Sequence, residues 1–109
     1  MIYKEFNTTN KEFKLALNTS AICQLEKKIG CNPIAIFGDG ETIPTVTVMV
    51  AVLHASLQKY QHGINEAEAY KIFDEWLEAG NTITDFVPVI IDVYKVSGLL
   101  KGEEEAKNA

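Results

Sequence analysis

The sequence contains no arginine, and all ten of its basic residues are lysines. Fifteen acidic residues outnumber them, so the net charge is −5. Nucleic-acid-binding proteins neutralise phosphates with a surplus of positive charge and often with the bidentate guanidinium group. Anionic membrane surfaces also attract basic segments. The composition therefore excludes nucleic acid and membrane surfaces from the expected partners.

Long apolar runs and export signals are also missing from the sequence. The longest stretch without a charged residue, residues 42–58, is interrupted by Pro44 and several polar side chains, and it is too short for a comfortable membrane span. The first residues lack the apolar core and the small-residue cleavage site of a signal peptide. We therefore expect a cytoplasmic protein.

Cysteine is scarce, since Cys23 and Cys31 are the only two, and two are too few for a disulfide scaffold. In a reducing compartment we expect free thiols, with Cys23 in the core beside Leu25. The cysteines are eight residues apart, as are His54 and His62, and this spacing does not match the short ligand pairs of a zinc site. We expect no metal and no cofactor.

No combination of residues in the sequence matches a known catalytic arrangement. The glycine-rich stretch 38–41 lacks the lysine and hydroxyl residue of a phosphate-binding loop. Asp74, Glu75 and Glu78 are spaced as the solvated face of an amphipathic helix, and His54 is interpreted as a structural histidine. The sequence thus predicts a protein that is not an enzyme.

The length of 109 residues and a hydrophobic content of 47% are typical of one globular domain. We assign residues 1–100 to this domain. Residues 101–109 contain three consecutive glutamates and nothing to bury, which predicts an acidic flexible tail.

Two strands are predicted at the start of the chain, over residues 2–6 and 11–17. Phe13, Leu15 and Leu17 alternate with polar residues and therefore share one face of the second strand. The polar residues 7–10 between the strands suit a hairpin turn. The hairpin leaves open strand edges, which are a route to β-augmentation or self-association.

The first helix is predicted over residues 21–29, with a cap among residues 18–20 and a stop at Gly30. Residues 34–37 predict a short helical turn. Residues 44–62 are ambiguous, because valines alternate as in a strand while a second apolar set follows helical spacing. Their length favours a helix. Apolar side chains on nearly all sides of this helix predict that it is the most buried element.

Two further helices follow from caps and apolar stripes. Asn65 and Glu68 resemble a capping box, and the helix behind them carries Phe73 and Trp76 toward the core. The last helix starts near residues 82–85 and reaches about residue 97, with Pro88 in its first turn. The sequence predicts a mainly helical α+β fold, in which an N-terminal two-stranded hairpin packs on a bundle of about four α-helices.

The tyrosines are the candidate partner contacts, because an aromatic ring with a polar tip suits an interface. Tyr3 and Tyr70 lie off the apolar stripes. Tyr60 and Tyr94 each lie at the end of a stripe, so a core position is equally compatible with the pattern for these two.

Residues 15–37, 43–64 and 69–100 resemble the tail assembly chaperones of long-tailed phages and prophages of low-GC Gram-positive bacteria. The resemblance is carried by the hairpin that leads into the helix end LEKKIG, by the apolar second helix, and by the helix that contains FDEW. These segments cover most of the chain. The family has no catalytic signature, so the match rests on this overall pattern.

The resemblance implies a non-enzymatic chaperone that binds the long, helical tape measure protein and helps to recruit tail tube subunits. It also implies that the chain associates with further copies of itself. The alternatives are a structural connector of the phage tail and a small regulatory interaction domain of the host. Some family members have a longer, frameshifted product, and the sequence does not decide this.

Overall fold

The computed structural model describes residues 2–38, 40 and 42–101. The elements follow in the order β1 (Lys4–Asn7), β2 (Glu12–Leu15), α1 (Thr19–Ile29), α2 (Val46–Leu57), α3 (Glu66–Glu78) and α4 (Phe86–Val96). Short 3-10 helices lie at Pro33–Phe37, after α1, and at Ile83–Asp85, before α4. The predicted α+β class is confirmed. The predicted tail lies outside the described residues, apart from Lys101.

The two strands form an antiparallel hairpin in which Phe6 lies opposite Phe13. Both phenylalanines are buried, whereas their neighbours along the strands point away from the core. The second strand is shorter than predicted, because after Leu15 the chain leaves β1. The Ala16 N–H donates instead to the main-chain oxygen of Ser56, at the end of α2, over 3.0 Å.

The helices begin and end at the signals that the sequence carries. The side chain of Asn18 accepts a hydrogen bond from the Ala21 N–H at the start of α1, and Asn65 accepts from the Glu68 N–H at the start of α3. Gly30 ends α1 with a φ of 76°, a left-handed conformation that a side chain would strain. The predicted caps of both helices are therefore confirmed, although of the capping box predicted for α3 only the bond to the Asn65 side chain is observed.

The α2 helix is the central element, and the choice of helix over strand for this segment is confirmed. It contacts α1, α3, α4 and β2. Met49, Leu53 and Leu57 are fully buried along one side, and Val50 and Val52 are buried as well. Burial on several sides explains the valine-rich composition, because a helix inside the core needs apolar side chains in most directions.

An aromatic cluster lies between the hairpin and the last two helices. The Phe6 and Trp76 rings stack at 5.2 Å between centroids, and Phe86 contacts Trp76 edge-on at 5.5 Å. The Phe73 ring lies 5.1 Å from that of Phe86. These four residues, called the aromatic cluster below, confirm the predicted core positions of Phe73 and Trp76.

The α4 helix begins with Pro88 in its first turn, as predicted. The Asp85 carboxylate accepts hydrogen bonds from the N–H and the hydroxyl of Thr82, which fixes the entry into the helix. The helix ends at Val96, and after Gly98 the Leu99 N–H donates back to the Tyr94 main-chain oxygen over 2.9 Å. In the part of the chain that the structure describes, no helix combines the length and the apolar character needed to cross a membrane.

Candidate functional site

Two of the four candidate tyrosines meet on the surface although they are far apart in the sequence. The Tyr3 ring, just before β1, lies 5.6 Å from the Tyr60 ring, just after α2, in an edge-to-face arrangement. The Lys14 ammonium lies 5.0 Å from the Tyr3 ring centroid, and the Lys59 ammonium 5.5 Å from that of Tyr60. We call these four residues the tyrosine–lysine surface.

Gln61 positions this surface by joining the end of α2 to the hairpin. Its side-chain oxygen accepts from the Lys14 N–H at 2.8 Å, and its side-chain NH₂ donates to the Lys14 main-chain oxygen at 2.9 Å. The same NH₂ group also reaches the Leu57 oxygen at 2.9 Å. Tyr60, the adjacent residue, is therefore held close to Tyr3 and to the lysine on β2.

A shallow groove of about 250 Å³ opens beside the tyrosine–lysine surface. Its walls come from the outward face of the hairpin and from the residues after α2: Glu5, Asn7, Glu12, Phe13, Lys14, Tyr60 and Gln61. Acidic and basic groups both line it, so the groove has no charge preference of one sign. A second open groove, of about 310 Å³, separates the hairpin turn from Glu75 and Glu78 on α3.

The other two candidate tyrosines have different positions. Tyr70 is 46% exposed on α3 and remains a candidate contact. Tyr94 is not a surface contact but occupies the core, the alternative that its stripe left open: its side chain is fully buried, and its hydroxyl donates to the Pro33 main-chain oxygen over 2.9 Å. The Phe37 ring contacts it edge-on. Burial also raises the pKa of the Tyr94 hydroxyl, since the charged form loses its hydration.

Three aliphatic side chains are exposed on the connection from α1 to α2 and at the start of α2. Ile34 is 42% exposed, Ile43 49% and Val46 41%. We call these residues the exposed apolar trio. None of the three was among the contacts predicted from the sequence, although their position around a glycine-rich stretch is a signal that could have indicated them. Ile34 lies in the 3-10 helix after α1 and Val46 in the first turn of α2, where both side chains remain exposed.

Both cysteines are exposed free thiols, so the predicted core position of Cys23 is wrong. Ala21 and Leu25 are the buried residues of α1. Two residues along a helix turn the side chain by about 200°. Cys23 therefore points to solvent when Leu25 points to the core.

His54 has a structural hydrogen bond. Its Nε2 atom lies 3.0 Å from the Ile64 main-chain oxygen, and the Gln58 side chain donates to the same oxygen at 2.7 Å. These contacts tie the connection after α2 to the helix itself. Within residues 2–38, 40 and 42–101, no three histidine, cysteine or acidic residues are grouped in a way that could hold a metal ion.

An exposed ion pair joins the end of α1 to the start of α3. The Lys28 ammonium lies 2.7 Å from the Glu66 carboxylate. The hydrogen bond between the two side chains raises the pKa of Lys28 and lowers the pKa of Glu66, and their opposite charges act in the same direction. Both groups are open to water, which screens this interaction.

Comparisons with protein-family models, with curated proteins and with solved structures found no match to this chain.

Proposed function

We propose that this protein is a non-enzymatic tail assembly chaperone of a phage or prophage, which acts in the cytoplasm of the bacterial host. In this role it binds the tape measure protein before the tail tube polymerises and helps to recruit tail tube subunits. The proposal starts from the resemblance of residues 15–37, 43–64 and 69–100 to that family. It is compatible with the observed order of a hairpin followed by helices.

The exposed apolar trio is the observation that carries the proposal. A helical client such as a tape measure protein presents apolar stripes before it is assembled, and amphipathic helices bind partners through such stripes. Ile34, Ile43 and Val46 supply aliphatic surface that the chain leaves in water. Contiguous exposed apolar surface is typical of interaction sites, and Ile43 and Val46 lie only three residues apart in the chain.

The charge of the chain is also suited to a chaperone. A net charge of −5 keeps the chain and its complexes apart from one another in solution. A complex with an aggregation-prone helical client would therefore stay soluble.

The test is co-expression of a tagged version of the chain with the long, helix-rich tape measure candidate expected to be encoded beside it. We expect the long protein to become soluble and to elute with the tagged chain in several copies. A long protein that stays insoluble, with no complex, would contradict the proposal. Recovery of the chain from purified phage particles would favour a structural connector instead.

A matched pair of variants makes this experiment specific. I43S with V46S removes exposed aliphatic surface without touching the core, so we expect folded protein that no longer keeps the long protein soluble. T42S is the control, because it changes an exposed residue in the same segment and keeps the aliphatic side chains. Equal solubilisation by both variants would exclude the exposed apolar trio as the binding surface.

A further inference from the structure

The two edges of the hairpin differ in how their main-chain groups are satisfied. Gln61 binds both the N–H and the C=O of Lys14, so both groups point away from β1. In an antiparallel pair, residues directly opposite each other either exchange both hydrogen bonds or turn both groups outward. Glu5 lies opposite Lys14, and its main-chain groups therefore point away from β2. The same alternation turns Asn7 outward.

The outer edge of β2 is closed at Lys14, and the chain just after β2 at Ala16, by groups from the end of α2. Gln61 occupies Lys14, and the Ser56 oxygen accepts from Ala16. On the outer edge of β1, by contrast, no group from the described residues bonds to the main chain of Glu5 or Asn7. A free edge of this kind is a template for another strand.

We propose that the outer edge of β1 pairs with the same edge of a second copy of this chain. A dimer with two-fold symmetry brings identical strands together in antiparallel order. Only residues whose main-chain groups point outward can form the new ladder. Glu5 must therefore lie opposite Tyr3, Glu5 or Asn7 of the second copy.

Charge selects among these three registers. Glu5 opposite Glu5 places two carboxylates together, and Glu5 opposite Tyr3 places the two Lys4 side chains together. Like charges directly opposite each other destabilise a sheet. Glu5 opposite Asn7 avoids both conflicts and allows the carboxylate to accept a hydrogen bond from the side-chain amide. The strand is therefore complementary to itself in this register.

The same register places Phe6 opposite Phe6 of the second copy, at a pair without mutual hydrogen bonds. Phe6 belongs to the aromatic cluster, where it contacts Trp76 and Phe86. Its side chain is only 2% exposed, so it is already enclosed within its own chain. The second copy therefore adds main-chain hydrogen bonds rather than a new aromatic contact.

The first test measures the mass of the purified chain in solution, by sedimentation or light scattering, over about a hundredfold range of concentration. We expect a monomer that becomes a dimer as concentration rises. Glu5→Pro removes the outward N–H and no hydrogen bond within the hairpin, and proline is tolerated on free edges. This variant should keep its circular dichroism spectrum and remain a monomer, whereas E5Q, which keeps the N–H, should still dimerise.

A charge exchange tests the register. Asn7→Glu places a second carboxylate opposite Glu5 at both symmetric positions, and we expect the dimer to weaken by roughly fivefold. Adding E5K to N7E restores opposite charges and should restore the dimer. An N7E dimer as strong as the unchanged one would overturn the register.

Two outcomes would overturn the proposed pairing of the β1 edges of two copies. One is a chain that stays monomeric at the highest concentration, which would leave an extended segment of another protein as the remaining occupant. The other is a folded Glu5→Pro variant that still dimerises, since the dimer would then use another surface. The measurement needs no client protein, so a failure of the proposed strand pairing can be told apart from a failure of client binding.

Discussion

The aromatic cluster and the exposed apolar trio are two apolar regions with opposite relations to water. In the first, rings from β1, α3 and α4 contact one another at centroid distances of 5.1 to 5.9 Å and are excluded from solvent. In the second, aliphatic side chains lie two-fifths or more exposed. The difference divides these apolar residues into a group that is buried in the fold and a group that remains in contact with water.

The largest expected effect comes from breaking the aromatic cluster. Phe86→Ala removes a ring that is 1% exposed and contacts three other aromatic rings. Truncating a buried phenylalanine leaves a cavity and lowers the free energy of unfolding by about 3–5 kcal/mol. Denaturation in urea measures this loss. A change below about 1 kcal/mol would mean that the cluster is not the core described above.

An intermediate effect is expected at Tyr94, which is buried but lies outside both regions. Y94F keeps the buried ring but removes the hydrogen bond that the hydroxyl donates to the main-chain oxygen of Pro33, which is itself a buried residue. Leaving a buried carbonyl without its partner lowers the free energy of unfolding by about 1–2 kcal/mol. Urea denaturation at neutral pH checks this. Y94L serves as the contrast, since it loses the ring as well and should be less stable than Y94F.

The same residue predicts an alkaline limit to stability. The pKa of Tyr94 is raised in the folded chain. The contribution of Tyr94 to stability is therefore fully present below the ordinary tyrosine pKa of 10.0, and it is lost as the pH rises from there through the raised pKa. The unfolded chain then releases a proton that the folded chain retains. The midpoint temperature of thermal unfolding, measured from neutral pH to above pH 10, should fall less steeply for Y94F than for the unchanged chain. Parallel curves for the two proteins would contradict this account.

A small effect on stability is expected for the exposed apolar trio. Ile43→Ser changes a side chain that already meets water, and such substitutions change the free energy of unfolding by about 0.5 kcal/mol or less. The expected result is an unchanged urea midpoint together with weaker retention of the helical client. A large loss of stability would show that Ile43 belongs to the core, and the comparison between the two regions would fail.

The smallest effect is expected at the exposed pair of Lys28 and Glu66. The lowered pKa of Glu66 means that its contribution to stability is present above the ordinary glutamate pKa and is lost as pH falls through the lowered value. Because both groups are exposed, K28A should have almost the same thermal midpoint as the unchanged chain at neutral pH. Acid titration of both proteins would reveal any difference.

The local parts of the fold could be predicted because their signals lie within a few residues. Asn18, Gly30 and Asn65 form caps whose chemistry depends on neighbouring main-chain groups. The length of the apolar pattern in α2 was enough to outweigh its alternating valines. The position of Cys23 was also decidable from helical geometry, since Leu25 is the buried residue of that turn.

The candidate site was less accessible to prediction because it depends on tertiary contacts. Tyr3 and Tyr60 become neighbours only when Gln61 binds the hairpin, and no spacing along the chain indicates this contact. Tyr94 could not be assigned from its stripe alone. Its burial depends on Pro33 and Phe37, which belong to a 3-10 helix packed against it.

Gln61 also has a consequence for how this chain ages and evolves. The side-chain amide of Gln61 forms hydrogen bonds with the main-chain N–H and C=O of Lys14 and with the main-chain oxygen of Leu57. Asparagine is one methylene shorter, and glutamate has an acceptor where two carbonyl oxygens require a donor. Spontaneous deamidation of this single side chain would therefore replace two attractions by two repulsions and weaken the link between the hairpin and α2, while the Ala16–Ser56 hydrogen bond and the buried side chains remain.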